Sequence, residues 1–182
     1  MNINLLDNAE AKQLQQLIIE AEHIVICAHK SPDGDALGSS LAWKSYLNQI
    51  GKTDVTVCMP DAYPDFLQWL PEANTVLRYD KNPEKVQETF NRADLVCCLD
   101  FNQYARVEAM RSTLEGCKAK RILIDHHLEP QTDNAITISQ PNMSSTSEMI
   151  FYIISQLGGY NDMTKDCAQS IYCGMMTDTG GF

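Results

Sequence analysis

Four groups of residues in this sequence carry side chains suited to metal or phosphate chemistry. Asp125-His126-His127 sets two imidazoles after a carboxylate. His29 lies just before the turn Lys30-Ser31-Pro32-Asp33-Gly34, with Asp33 inside it and Asp35 directly after it. Asp100 stands alone, and Asp178 opens the stretch Asp178-Thr179-Gly180-Gly181-Phe182. Carboxylates and imidazoles are costly to bury unpaired, so several of them together call for cations or an anionic substrate. Taken one at a time, each also has a bland account. Asp125-His126-His127 serves equally well as a hydrogen-bonded turn, and His29 as a structural imidazole. Their positions relative to the predicted elements separate the two accounts.

Asp125 closes the apolar run Arg121–Ile124, which reads as a buried strand. The runs Ile24–Ala28 and Leu95–Leu99 read the same way and end at His29 and Asp100. Val55–Met59 is a further strand, and Thr75–Tyr79 and the weakly alternating Ala135–Ser139 are candidate strands. Helical periodicity covers Asp7–Glu22, where Leu14, Leu17, Ile18 and Ala21 make the apolar stripe, and Asp35–Ile50, which Gly51 stops. Further helices are predicted over Pro83–Asn91, Tyr104–Leu114, Ser145–Leu157 and Thr164–Thr177. Ser145 and Glu148 have capping-box spacing. Strands alternating with helices predict an α/β fold, a mostly parallel sheet with helices on both faces.

Open parallel sheets bind ligands outside the carboxyl ends of their strands. His29 and Asp33 follow the first strand, Asp100 the Leu95 strand, and Asp125 and His126 the Arg121 strand. Asp35 stands at a helix start, and Asp178 is expected in the final loop. These groups therefore fall on one edge of the sheet. Mixed His and Asp ligands without thiolate suit manganese, magnesium, iron or zinc, and carboxylate-rich sets favour the harder ions. The number of ligands points to two ions. Paired ions about 3.5–4 Å apart are a known device for phosphoester hydrolysis.

Composition limits the partners. The 182 residues carry a net charge of -10, with 44% hydrophobic and 21% charged residues. Such a surface repels long polyanions, which need a basic track, but admits a short RNA or DNA oligonucleotide or a small nucleotide. The start lacks the basic and apolar regions of a signal peptide, and no apolar run approaches membrane-spanning length. The seven cysteines form no Cys-x-x-Cys pair, so buried free thiols in a reducing cytoplasm are expected. Cys97 and Cys98 would point to opposite faces of their strand. His23 reads as structural, Trp43 and Tyr46 as core, and Arg106 as either a phosphate contact or a surface ion pair.

The sequence resembles the DHH phosphoesterases. His29-Lys30-Ser31-Pro32-Asp33-Gly34-Asp35-Ala36-Leu37-Gly38-Ser39 is similar to their first motif and Asp100 to their second. Asp125-His126-His127 is similar to the motif that names them, and Thr177-Asp178-Thr179-Gly180 to their fourth. The nearest resemblance is to the subfamily with an added DHHA1 domain. It includes bifunctional oligoribonuclease/3′-phosphoadenosine-5′-phosphate phosphatases, cyclic-dinucleotide phosphodiesterases and RecJ-type exonucleases. The resemblance implies two manganese ions, with magnesium as the alternative. His29, Asp33 and Asp100 would hold one, and Asp35, Asp100, His126 and Asp178 the other, with Asp100 bridging. His127 would face the substrate phosphate or protonate the leaving group. Asp125 would orient a neighbouring imidazole, and Arg106 would contact a phosphate. A hydroxide held between the ions would attack phosphorus. A DHHA1 motif is not matched, so residues 1–182 are expected to be a DHH domain, incomplete at its C-terminal end, from the front of a two-domain protein. A homodimer is a candidate assembly. The competing functions are a manganese-type pyrophosphatase, a RecJ-type single-strand exonuclease and a nucleotide-binding module without catalysis.

Overall fold

The computed structural model describes residues 3–181. Helix α1 (Asn8–Glu20) starts at a complete capping box: the Asp7 side chain accepts from the Ala9 and Glu10 amides, and Glu10 reaches back to the Asp7 amide. It buries Leu14, Leu17 and Ile18 and leads into β1 (His23–Cys27). The chain continues through α2 (Gly34–Gln49) to β2 (Asp54–Met59) and β3 (Leu77–Arg78). Helix α3 (Pro83–Arg92) carries Pro at its start, as the sequence predicts, and precedes β4 (Leu95–Leu99). Then come a 3₁₀ segment (Tyr104–Met110), α4 (Arg111–Gly116), β5 (Lys120–Asp125) and β6 (Ile136–Ser139). The last elements are α5 (Thr146–Gln156) and α6 (Lys165–Asp178).

The strands form one sheet in the order β3-β2-β1-β4-β5-β6, and every pairing is parallel. Alternate residues feed two cores. Ile24, Ile26, Cys97, Leu99, Ile122 and Ile124 face the layer that contains α1, α2, α5 and α6. Val25, Cys27, Cys58, Cys98 and Leu123 face the layer that contains α3 and α4. Cys97 and Cys98 do lie on opposite faces, and all seven cysteines are buried and free. Burial pushes the thiols of Cys58 and Cys97 up to about 12, so they behave as small apolar groups.

Helix α2 is buried over most of its length because sheet, α5 and α6 surround it. Glycines allow the close approach of α2 to α6. A Cβ on Gly38 would lie 2.5 Å from the Ser170 carbonyl oxygen, one on Gly34 would meet the Thr177 side chain, and one on Gly174 would meet Ser147 and lie 2.9 Å from Asp35 Oδ1. This contact brings the start of α2 against the end of α6.

Three expectations need correction. The strand predicted over Thr75–Tyr79 is only Leu77–Arg78, because Ala73–Thr75 is a 3₁₀ turn. The helix predicted over Tyr104–Leu114 is broken at Glu108, whose φ of 41° and ψ of -111° no helix accommodates. Asp178 is the last residue of α6 rather than part of a loop. No helix of the described residues is long and apolar enough to cross a membrane.

Candidate metal centre

The chain runs outward from β1 to β3, then returns to the other side of β1 to build β4, β5 and β6. The loops after β1 and β4 therefore diverge and leave a crevice at the carboxyl edge, the usual ligand position in such a sheet. His29 follows β1 and Asp100 follows β4. Asp100 adopts φ 62°, a left-handed conformation that Asp tolerates better than most residues. Its amide donates to the Ile124 carbonyl at 3.1 Å, which ties the turn to β5.

Asp100 faces two imidazoles at once. Its Oδ2 lies 3.4 Å from His29 Nε2, and its Oδ1 lies 3.7 Å from His126 Nε2. His29 Nε2 is also 3.8 Å from Asp33 Oδ2. His126 Nε2 is 3.9 Å from Asp35 Oδ2 and 3.5 Å from Asp178 Oδ2. Two of the resulting groups, His29-Asp33-Asp100 and Asp35-His126-Asp178, each have donor atoms within 4.8 Å of one another, as does Asp100-His126-His127. Atoms bound to one ion at about 2.1 Å sit about 3 Å apart at right angles, so small shifts would close these groups on a cation. The chain fixes the imidazoles for this. His29 Nδ1 pairs with the Lys30 carbonyl at 2.7 Å, and His126 Nδ1 with the Met143 carbonyl at 3.3 Å. Such bonds set the tautomer that leaves Nε2 as the free donor.

Helix ends hold the carboxylates. Asp33 caps α2, its Oδ1 accepting from the Asp35 and Ala36 amides at 2.9 and 3.0 Å, while Oδ2 stays free. The first amides of α5 point at Asp35: Thr146 donates to Oδ2 at 2.7 Å and Ser147 to Oδ1 at 2.8 Å. The Thr146 hydroxyl donates to Asp100 Oδ1 at 2.9 Å. The sequence gives this helix start a capping-box spacing; it also orients the carboxylates of Asp35 and Asp100. The Ser145 hydroxyl does cap α5, but Glu148 bonds the Ser144 amide rather than that of Ser145, so the box is half formed. Thr146 is absent from the sequence-based site because its contacts cross 111 and 46 positions and no local pattern marks it.

Asp125, the buried last residue of β5, accepts from His127 twice, from Nδ1 at 2.7 Å and from the backbone amide at 2.9 Å. This carboxylate holds the His127 pKa above the ordinary histidine range, while the nearby Arg106 charge opposes it. Arg106 is exposed and makes no side-chain ion pair among the described residues. His23 pairs with Asp54 at the opposite edge of the sheet, at 2.8 Å, as a structural histidine should.

The crowding of carboxylates shifts their titration. Burial and the charge of Asp100 push the Asp35 carboxyl up, and burial, Asp100 and Asp33 push Asp178 up. Burial works against a charge on His29, yet Asp100, the Lys30 carbonyl and Asp33 outweigh it and raise its pKa. Burial also opposes the charge of Asp100, but His29, Thr146 and His126 hold its carboxyl below the usual range.

The profile of the DHH family, N-terminal domain, matches residues 23–175. The chain belongs to the DHH family. It is 32% identical over 159 residues to the bifunctional oligoribonuclease and PAP phosphatase NrnA of Thermus thermophilus, covering 87% of this chain and 44% of that protein. It is 22% identical to the cyclic-di-AMP phosphodiesterase PdeA of Listeria monocytogenes, over 94% of this chain and 27% of the other. Among solved structures, it is 42% identical to an exopolyphosphatase-related protein from Bacteroides fragilis. That match has a TM-score of 0.96 and covers 99% of this chain and 53% of the other. The Mn²⁺ complex of RecJ from Thermus thermophilus, 16% identical with a TM-score of 0.55 over 92% of this chain and 23% of that one, shares the fold. The chain thus spans about half the length of the Bacteroides protein, and less than half of the other three. His29, Asp33, Asp35, Asp100, His126, His127 and Asp178 fall within the three donor groups of this crevice, and Asp125 bonds His127.

Proposed function

We propose that this chain carries the catalytic centre of a manganese-dependent phosphoesterase for short oligonucleotides or small nucleotides such as 3′-phosphoadenosine 5′-phosphate. The supporting observation is the orientation of Asp100, whose two oxygens face two different imidazoles. A carboxylate placed this way can be shared by two cations. In this reading His29, Asp33 and Asp100 would hold one ion, and Asp35, Asp100, His126 and Asp178 the other. When bound, the pair would supply Lewis-acid activation of water and neutralise phosphate charge. The chain's residues do the rest. His127, fixed through Nδ1 by Asp125, offers Nε2–H to a phosphate or leaving-group oxygen. The Asp125 carboxylate favours the protonated form of His127, which suits this imidazole to donate that proton. Arg106 adds a fixed positive charge for the phosphate. Residues 1–182 would be the DHH half of a protein that works with a DHHA1-type domain. The relatives named for oligoribonuclease, phosphatase and phosphodiesterase activities support this substrate class.

The test is release of mononucleotide or phosphate by the full-length protein with manganese, from a dinucleotide, 3′-phosphoadenosine 5′-phosphate, pyrophosphate and a long single strand. The first two should be substrates. The net charge of -10 repels added phosphates, so efficiency should fall as oligonucleotides lengthen, most steeply at low salt, where screening is weakest. Faster cleavage of long strands than of dinucleotides would overturn this and favour exonuclease action.

Metal binding should strengthen with rising pH. His29, Asp35 and Asp178 hold protons to a higher pH than their free counterparts, and a bound ion must displace them. Affinity is therefore weakest below the raised His29 value and climbs as that proton is lost. Calorimetric manganese titrations between about pH 5 and 8 would show this, and a flat profile would remove His29 from the ligands.

A further inference from the structure

A cavity of about 350 Å³ opens on the same edge of the sheet, beside the candidate centre and above β2 and β3. Tyr79, Ala109 and two prolines give it apolar walls; Lys30, Asp61 and Glu108 supply polar groups, as does Asp80, which pairs with Arg78 at 2.7 Å. Two links join it to the centre. Lys30 is the neighbour of His29, and its amide donates to the Arg106 carbonyl at 2.9 Å. Glu108 and Ala109, two and three residues after Arg106, line the cavity. The rim is fixed in place. Ser31 at φ 53° and Glu108 at φ 41° both hold left-handed conformations that non-glycine residues keep only when their surroundings enforce them. The Ser31 amide donates to Asp61 Oδ1 at 2.7 Å, and Lys30 Nζ lies 2.6 Å from Glu108 Oε2.

We propose that this cavity receives the nucleoside of a substrate whose phosphate lies at the metal centre, an assignment that rests on the phosphoesterase reading. Its volume is at the small end for ligand pockets. Tyr79 is the aromatic residue of the lining, the side-chain type on which a base can stack. Asp61 and Glu108 retain acceptor lone pairs beyond their present contacts, so bases with an exocyclic amine, such as adenine, should bind better than uracil.

Ala109 is exposed, so Ala109→Phe can fill the cavity without disturbing the core. In the full-length protein, calorimetry should show adenosine 5′-monophosphate binding about tenfold more weakly to this variant. KM for a dinucleotide should rise about tenfold, with kcat within about twofold, and manganese content and melting temperature unchanged. Unchanged affinity for adenosine 5′-monophosphate, or equal affinity of the unmodified protein for uridine 5′-monophosphate, would overturn the assignment. Nucleotide binding to the unmodified protein without hydrolysis of any phosphoester would instead overturn the phosphoesterase reading, because the binding measurement does not depend on turnover.

Discussion

Asp100→Asn is expected to strip the protein of most of its manganese and to lower turnover by more than about 10³-fold, the scale of losing a key electrostatic group. Asn is the informative replacement because it accepts the φ of 62° that Asp100 adopts. It keeps the shape and removes the charge that both imidazoles face at 3.4 and 3.7 Å. His29→Ala should behave differently. His29 belongs only to the group with Asp33 and Asp100, so about one of the two ions should remain. Elemental analysis of the purified variants distinguishes the cases, and full manganese occupancy in Asp100→Asn would end the bridging assignment.

His127→Ala should keep its metal and lose turnover by about 10²–10⁴-fold, the range of a positioned acid–base group. The imidazole is held to Asp125 by one hydrogen bond of 2.7 Å from Nδ1, and the backbone amide, which donates to the same carboxylate at 2.9 Å, stays in the variant. Removal of the imidazole leaves the Asp100 contacts to His29 and His126 in place. His126→Ala is the counterpart, because His126 Nε2 faces three carboxylates at 3.5–3.9 Å, and it should lose metal. The reverse pattern, with metal lost from His127→Ala and kept by His126→Ala, would exchange the two roles.

The central strands were legible because strands buried on both faces read as unbroken apolar runs. Leu95–Leu99 is the case in point, with all five residues buried. From the strand ends, the edge rule alone placed His29, Asp100 and Asp125. The break at Glu108 was not legible, since glutamate has no turn preference and its contact with Lys30 spans 78 positions. Asp178 was assigned to a loop because glycines follow it, yet Thr179 continues the helical turn at φ -87°. Thr146 could not be read at all, since only tertiary packing brings α5 over the start of α2.

The two ligand groups also differ in when they come into being. His29, Asp33 and Asp100 all lie in the first 100 residues, whereas Asp178 closes α6 near the end of the sequence. A chain leaving the ribosome emerges amino end first. β1, β2 and β4 can thus pair, and the first three donors can come together, while Asp178 is still untranslated. The second set is completed only when α6 settles onto the glycines of α2. On the proposed ligand sets, assembly of the centre would be vectorial, its first three donors translated well before its last.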